Sequence, residues 1–141
     1  MFYITDENGN RVPALEGGDL ANVETLTANK TLTVEDSGKT FNIGTDALVI
    51  TLPATALGLK YTFRNIGADG NNIITISPNA ADAVFGTVQN AAADSVASGA
   101  ADKDIINTKA TANRGDFITL EADGVDGWYI TGGVGIWASE A

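Results

Sequence analysis

The chain has 141 residues and a formal net charge of −10, and it contains neither histidine nor cysteine. These two absences exclude Ser-His-Asp and Cys-His catalysis, zinc sites built on those side chains, and disulfides. The acidic balance disfavours nucleic acid and anionic membrane surfaces as partners, because their phosphates would be repelled. Composition therefore favours a binding or structural protein over an enzyme, with no cofactor and no metal.

Residues 1–20 differ in texture from the rest of the chain. Residues 2–5 predict a short strand, the Asn-Gly turn within residues 6–10 follows, and residues 11–14 predict a returning strand that Pro13 confines to an edge. We therefore predict an N-terminal arm or hairpin over residues 1–20. The first residues carry neither a basic segment nor an apolar leader, which predicts folding in a cytoplasm.

From Val23 onward, apolar and polar residues alternate in short runs that turn residues separate about every 8–12 positions. This pattern predicts an all-β domain over residues 21–141, either an antiparallel β-sandwich or a jelly-roll-like barrel. The apolar positions of residues 48–52 and 61–63 are expected to pack against the strand at residues 117–120. No internal repeat is long enough to indicate a solenoid.

Residues 87–102 are small, polar and without periodicity, which predicts a long irregular loop. Residues 123–127 form the turn between the predicted strands at residues 117–120 and 128–131. Asp123 and Asp126 in this turn are expected for backbone reasons rather than as ligands of a metal ion.

Three short motifs resemble functional sites and fail on inspection. Residues 6–10 have the spacing of the first EF-hand ligands, but Arg11 and Gly17 occupy the positions that need glycine and glutamate. Residues 37–40 resemble the end of a phosphate-binding loop but lack its upstream glycine. Residues 114–116 spell Arg-Gly-Asp, which we interpret as the turn into the next strand.

The aromatic residues near the C-terminus are the main candidates for contacts. Alternation predicts that Trp128 and Ile130 face the core while Tyr129 faces outward; an aromatic platform for a sugar is the alternative. Ile136 and Trp137 lie beyond the alternating pattern in a glycine-rich tail. We predict that they form an oligomer interface, with core packing of Trp137 as the alternative.

Several stretches together resemble β-domains found in structural proteins of tailed bacteriophages. They are residues 36–41 (DSGKTF), 50–53 (ITLP), 58–63 (GLKYTF) and 115–129 (GDFITLEADGVDGWY). The resemblance spans about residues 30–137, apart from the alanine-rich segment in between. Its motifs are patterns of strand and turn, and they carry no catalytic residues.

This resemblance implies a non-enzymatic capsid decoration (cement) protein on the exterior of the virion, because the chain lacks the long repetitive shaft of a fibre. It implies a homotrimer or another symmetric oligomer that binds the major capsid protein. Two alternatives remain: a receptor- or carbohydrate-binding module of a tail fibre or spike, and a small hydrolase or lyase that uses carboxylates alone.

The N-terminal arm is the predicted contact with the capsid. Phe2, Tyr3 and Ile4 are bulky apolar residues at a terminus, where chains are disordered unless something holds them. We predict that these residues and Arg11 dock on the capsid or on a neighbouring subunit. The alternative is that residues 2–5 form an edge strand of the chain's own sheet.

Overall fold

The structure is a computed structural model that describes residues 3–5, 11–13, 22–89 and 95–140, with side chains for 22–89 and 97–140. Nearly every regular element in these ranges is a β-strand, which confirms the all-β prediction. The short 3-10 turns are Val34–Asp36 and Lys109–Thr111.

In chain order, the strands are β1 (Tyr3–Thr5), β2 (Arg11–Pro13), β3 (Val23–Leu26), β4 (Lys30–Thr31), β5 (Thr40–Ile43), β6 (Leu48–Thr51), β7 (Lys60–Asn65), β8 (Ile74–Ser77), β9 (Ala83–Phe85), β10 (Thr87–Val88), β11 (Ser95–Val96), β12 (Ile105–Asn107), β13 (Phe117–Ala122), β14 (Gly127–Val134) and β15 (Trp137–Ser139). One sheet has six strands in the order β3-β5-β7-β13-β14-β9, and the other has five in the order β15-β12-β8-β6-β4. The two sheets pack together, which confirms the predicted sandwich.

The core lies between the sheets because alternate residues of each strand point inward. Leu48 and Ile50 of β6 are buried while Val49 between them is exposed. Ile118 and Leu120 of β13 are buried opposite them in the other layer, as predicted. The largest fully buried side chains are Trp128, Trp137, Tyr61, Phe41, Phe63, Leu32, Ile43, Ile50, Leu52, Ile74, Ile76 and Ile105.

The first half of the sandwich is parallel, so the antiparallel prediction is wrong there. The chain alternates between the layers, with β3, β5 and β7 in one sheet and β4, β6 and β8 in the other. Thr40 of β5 lies opposite Val23 on one side and Thr62 on the other, in parallel register. The path is that of a short solenoid, although the sequence holds no long repeat. Period-two alternation is the same for both strand directions, so it does not reveal which one occurs.

Corners, rather than hairpins, join these parallel strands. Gly38 adopts a φ of +90°, a conformation that favours glycine, in the turn before β5. Its N–H donates to the carbonyl of Lys60 at 2.7 Å. The turn at residues 36–38 therefore bonds to the start of β7. It directs the chain from β4 in the five-stranded sheet to β5 in the six-stranded sheet.

The second half follows the predicted antiparallel pattern. β12 lies between β8 and β15, and β13 lies between β7 and β14. A bulge in β14 leaves Thr131 between the pairs Thr119–Gly132 and Leu120–Ile130. β9 then joins the outer side of β14 in parallel.

The described part of residues 87–102 contains two short strands that the sequence pattern did not predict, while residues 97–100 have no regular secondary structure, as expected for a loop. β10 and β11 pair antiparallel, and Val88 of β10 is buried in the core. Farther along, the Ala97 N–H donates to Gly86 O and the Gly99 N–H donates to Val84 O. The segment thereby supplies hydrogen-bond partners to β9, which would otherwise be an unprotected edge strand. Residues 90–94 lie outside the described residues.

A buried polar network joins the two sheets at one end. Asn65 of β7 donates from Nδ2 to Oδ1 of Asn107 on β12 at 2.8 Å. Asn107 in turn donates to Oδ2 of Asp116 at 3.1 Å and to the carbonyl of Ile136 at 3.1 Å. Asp116 also accepts the N–H of Asn113 at 2.9 Å. Because all these groups are satisfied, the network holds the layers in one register.

The N-terminal hairpin prediction is confirmed for the described backbone. β1 and β2 pair antiparallel, with Ile4 opposite Val12. Among the described strands, these two pair only with each other and form a sheet separate from the sandwich layers. The predicted boundary near residue 20 lies outside the described residues.

Candidate functional site

The four predicted capsid-contact residues belong to the N-terminal hairpin. Tyr3 and Ile4 lie in β1 and Arg11 lies in β2, where it is opposite Thr5. Phe2 lies outside the described residues, as do the side chains of the other three. The backbone thus brings three of the four positions together, and their contact role stays a prediction.

Trp137 belongs to the core of its own chain, so its predicted role as an interface anchor is wrong. Its side chain is 1% exposed, and its indole Nε1 donates to the carbonyl of Val134 at 3.2 Å. The residue begins β15, where it lies opposite Asn107 of β12. Ile136 is 36% exposed and remains at the surface.

Trp128 and Tyr129 face opposite sides of β14, as predicted. The Trp128 ring is buried and packs against Tyr61, with ring centroids 5.5 Å apart. Tyr129 is 42% exposed on the outer face and stacks on Phe85 of β9 at 5.3 Å. Phe85 and Tyr129 therefore each have one ring face covered by the other. What remains is a small aromatic surface at the edge of the six-stranded sheet.

Two of the three motifs that resemble functional sites lie in the described part of the chain, and both have structural roles. Asp116 of the Arg-Gly-Asp sequence is buried in the polar network, so the tripeptide is not presented to a receptor. Ser37 of the phosphate-loop look-alike accepts the N–H of Lys60, and Lys39 pairs with Asp36. The EF-hand look-alike at residues 6–10 lies outside the described residues.

An ionic cluster fastens the edge formed by β3 and β4. Nζ of Lys30 lies 2.6 Å from Oε2 of Glu24, and Nζ of Lys39 lies 3.0 Å from Oδ1 of Asp36. Lys30 also lies 5.5 Å from the centre of the Phe41 ring. The lysine bonds hold the pKa of Glu24 below its usual range. The cluster lies over the core beside Phe41, and its two lysines pair with its two carboxylates.

Within the strands of the five-stranded sheet, the outward positions carry no charged side chain, and Asp104 and Glu140 border this face just beyond the ends of β12 and β15. One row follows the strand register across four strands, and a second row runs beside it. We call this surface the uncharged face. Its members are Val49, Thr75, Ile106 and Ala138 in the first row, and Thr31, Thr51 and Ser77 in the second.

The uncharged face differs from the outer face of the other sheet. There, Lys60 lies opposite Glu121, and Arg64 is exposed four residues farther along the same strand. At its β4 edge, the uncharged face ends in a depression of about 150 Å³, and Lys30 lines it together with Asn29, Thr31, Val49 and Thr51. Asn29 accepts the N–H of Val49 there at 2.9 Å.

The most exposed large apolar side chains all lie at one end of the sandwich. We call this the corner end; it comprises the corners at residues 32–39 and 52–59 and the hairpin tip at residues 123–126. Leu57 is 86% exposed, Val125 is 79% exposed and Val34 is also exposed. The strand register places the starts of β5, β7 and β14 together at this end.

Hydrogen bonds hold the corner at residues 52–59 and the hairpin tip together. Thr55 donates from Oγ1 to the carbonyl of Gly127 at 2.7 Å and accepts the N–H of Gly124 at 3.0 Å. Its own N–H donates to the buried carboxylate of Asp82 at 2.8 Å. Gly124 packs so closely that an added Cβ would lie 2.9 Å from the Leu57 nitrogen.

Asp123 organises the hairpin tip. Its Oδ1 accepts the backbone N–H groups of Val125, Asp126 and Gly127 at 2.8–3.0 Å. The bonds from Gly127, Val125 and Asp126 hold the pKa of Asp123 below its usual range. The backbone explanation for this turn is therefore confirmed, and the carboxylate is committed to the tip.

The described residues hold no group of three or more acidic side chains placed to bind a metal ion. In the same ranges, no helix has the length and apolar character needed to cross a membrane.

No protein-family model, curated protein or solved structure matches the chain. The candidate surfaces therefore stand on their own geometry. Sequence reasoning missed the uncharged face. Its residues include the outward-facing positions of the alternating runs at residues 48–51 and 74–77, and the sequence-based predictions considered only the inward-facing positions of these runs. It also missed Leu57, an isolated apolar residue in a turn whose only signal is its position outside the alternating pattern.

Proposed function

We propose that the chain is a non-enzymatic structural protein that decorates and stabilises the exterior of a tailed-bacteriophage capsid as a symmetric oligomer. The resemblance of residues 36–63 and 115–129 to phage β-domains supports the class of protein. The uncharged face is the single structural observation that carries the proposal. It offers a surface of uncharged strand residues through which copies of the chain can meet.

Electrostatics favours this face as the contact between copies. Each chain carries a formal net charge of −10, so two copies repel each other through most of their surfaces. Val49 and Ile106 lie on a surface without outward charges, where close approach has the lowest electrostatic cost. A homotrimer is the arrangement that the resemblance implies.

Decoration stabilises a shell by linkage. A protein that binds the assembled lattice of major capsid protein, and not its dissociated subunits, shifts the equilibrium towards the assembled state. A symmetric oligomer makes several weak contacts at once, and the high effective concentration of the second and third contacts raises the overall affinity.

The first experiment tests attachment to heads. Assembled heads that lack this protein are prepared from the phage that encodes it. Purified protein is mixed with these heads, and the bound protein is measured after sedimentation. Saturable binding at a fixed number of copies per head is expected. An absence of binding, or binding without saturation, contradicts the proposed function.

The second experiment tests the contact between copies. Light scattering is expected to give three times the chain mass of 14.5 kDa for the wild type. Val49→Glu and Ile106→Glu each place a charge in the uncharged face and should lower the mass towards that of one chain. Val23→Glu is the matched control, because Val23 is exposed on the other sheet. A monomeric wild type at micromolar concentration, or variants that remain trimeric, would contradict this assignment.

The third experiment tests the N-terminal arm with its predicted contacts Phe2, Tyr3, Ile4 and Arg11. Deletion of residues 1–18 should leave the sandwich folded, because the two layers contain neither β1 nor β2. Weaker binding to heads is the expected result. A folded deletion variant that binds heads as tightly as the wild type contradicts the docking role of the arm.

A second candidate function is carbohydrate or receptor binding by a tail module, and the stacked pair of Phe85 and Tyr129 favours it. Exposed aromatic rings stack on sugar faces. A glycan panel probed with wild type and Tyr129→Ala tests this alternative. Binding of one glycan class that is lost in the variant would support it over decoration.

A further inference from the structure

We propose that the corner end is the end of the molecule that faces the shell, and that Leu57 and Val125 are anchors that enter an apolar pocket of the shell protein. The pocket is expected to carry basic residues on its rim. This inference rests on the proposed function and assigns the orientation of the chain on its partner.

The distribution of exposed apolar side chains sets the corner end apart. Leu57, Val125 and Val34 are the three most exposed large apolar residues in the part of the chain with described side chains, and all three lie at this end. Single exposed apolar residues are ordinary on protein surfaces, but a group at one end marks a contact surface.

The anchors stand on a rigid base. Thr55 ties the corner at residues 52–59 to the hairpin tip, and Asp123 ties the tip to its own backbone. The base is linked to the interior through the buried carboxylate of Asp82. Side chains held on a preorganised backbone lose little conformational entropy on binding, which is typical of residues that dominate an interface.

The chain path connects this end with the predicted contact arm. β3 begins at Val23, which lies opposite the first residue of β5, so the chain enters the sandwich at the corner end. The segment that precedes β3 is therefore joined to the sandwich at the end that carries the anchors.

Charge defines the expected pocket. Glu35 and Asp126 are exposed at the corner end, and Asp123 adds a third carboxylate. Lys60, the nearest base in the strand that leaves the corner, lies opposite Glu121. An acidic rim around apolar anchors is complementary to an apolar pocket bordered by lysine or arginine.

The arrangement also separates the two proposed contacts. The uncharged face runs along the side of the sandwich, and the corner end lies where the strands begin. Copies would meet side by side through Val49 and Ile106, while each presents Leu57 and Val125 to the shell. The strands would then run outward from the shell surface.

The test measures binding of full-length Leu57→Ser and Val125→Ser to the same assembled heads used for the wild type. Val134→Ser is the matched control, because Val134 is exposed at the opposite end of β14. Thermal unfolding and light scattering are recorded for each variant. Since the two anchors are almost fully exposed, unfolding temperature and mass are expected to remain those of the wild type.

An affinity loss of about thirtyfold is expected for each anchor variant, as for interface residues that dominate binding, with no loss for Val134→Ser. Higher salt is expected to weaken wild-type binding. If the wild type binds and the anchor variants bind equally well, the corner-end inference is wrong while the proposed function stands. If the anchor variants change the mass, the corner end is a contact between copies and the inference is overturned. If the wild type does not bind heads, both proposals fail.

Discussion

Replacement of Asn107 by alanine should strongly destabilise the sandwich, because this side chain bridges its two layers. The substitution removes the acceptor of Asn65 Nδ2 and the donor to Ile136 O, and Asp116 retains the N–H of Asn113. The buried amide of Asn65 and the partly buried carbonyl of Ile136 then lack the partner that Asn107 provided. At about 1–3 kcal/mol for each, the free energy of unfolding should fall by about 2–6 kcal/mol. This is a large share of the roughly 5–15 kcal/mol typical of a domain.

Urea unfolding followed by tryptophan fluorescence measures this effect, since Trp128 and Trp137 are both buried. Asn42→Ala is the control. Asn42 lies on the outer face of β5, where its side chain accepts one long bond of 3.4 Å from Arg64. The control should change the free energy of unfolding by less than about 0.5 kcal/mol. An Asn107→Ala protein as stable as the control would refute the bridging role of the network.

Three further predictions concern the core, the β9 edge and the hairpin tip. Ile50→Ala should lower the free energy of unfolding by about 2–5 kcal/mol, measured by urea unfolding, because the side chain is fully buried; an effect below about 1 kcal/mol would contradict its place in the core. Gly127→Ala should prevent soluble expression, because φ is +146° and the new Cβ would lie 2.0 Å from the Ala83 carbonyl oxygen; a soluble variant with wild-type thermal stability would refute this close approach. The lowered pKa of Asp123 contributes stability that is present above its unfolded pKa of about 3.9 and is lost as pH falls through the lower folded value. Asp123→Asn should therefore flatten the decline in unfolding temperature between about pH 5 and pH 2, and an unchanged decline would show that other carboxylates dominate it.

The sequence predicts the faces of the strands better than their directions. Alternation at residues 48–52 correctly predicts which side chains are buried, because burial depends on a period of two in any sheet. The direction of β5 depends on where the turn at residues 36–38 sends the chain. That turn bonds to Lys60, a residue 22 positions from Gly38, and the local pattern does not contain this information.

The candidate surfaces show the same division. Tyr129 is correctly predicted to face outward because it follows the alternation of β14. Trp137 was wrongly predicted at an interface because the strand that contains it has only three residues, too few to show a period. Leu57 escapes prediction because its exposure depends on the hydrogen bonds that Thr55 makes to the distant hairpin tip.

The coiled path of β3 to β8 makes the protein extensible. Each coil contributes one strand to each sheet, and successive coils differ in length because only their strands must remain in register. An extra coil inserted between Thr51 and Lys60 would add one strand to each layer and leave the antiparallel closing half unchanged. Such a fold can gain one strand in each sheet when a gene segment that encodes about twenty residues is duplicated. This length is typical of repeats that stack only on their neighbours. Proteins of different size can then share the same closing strands.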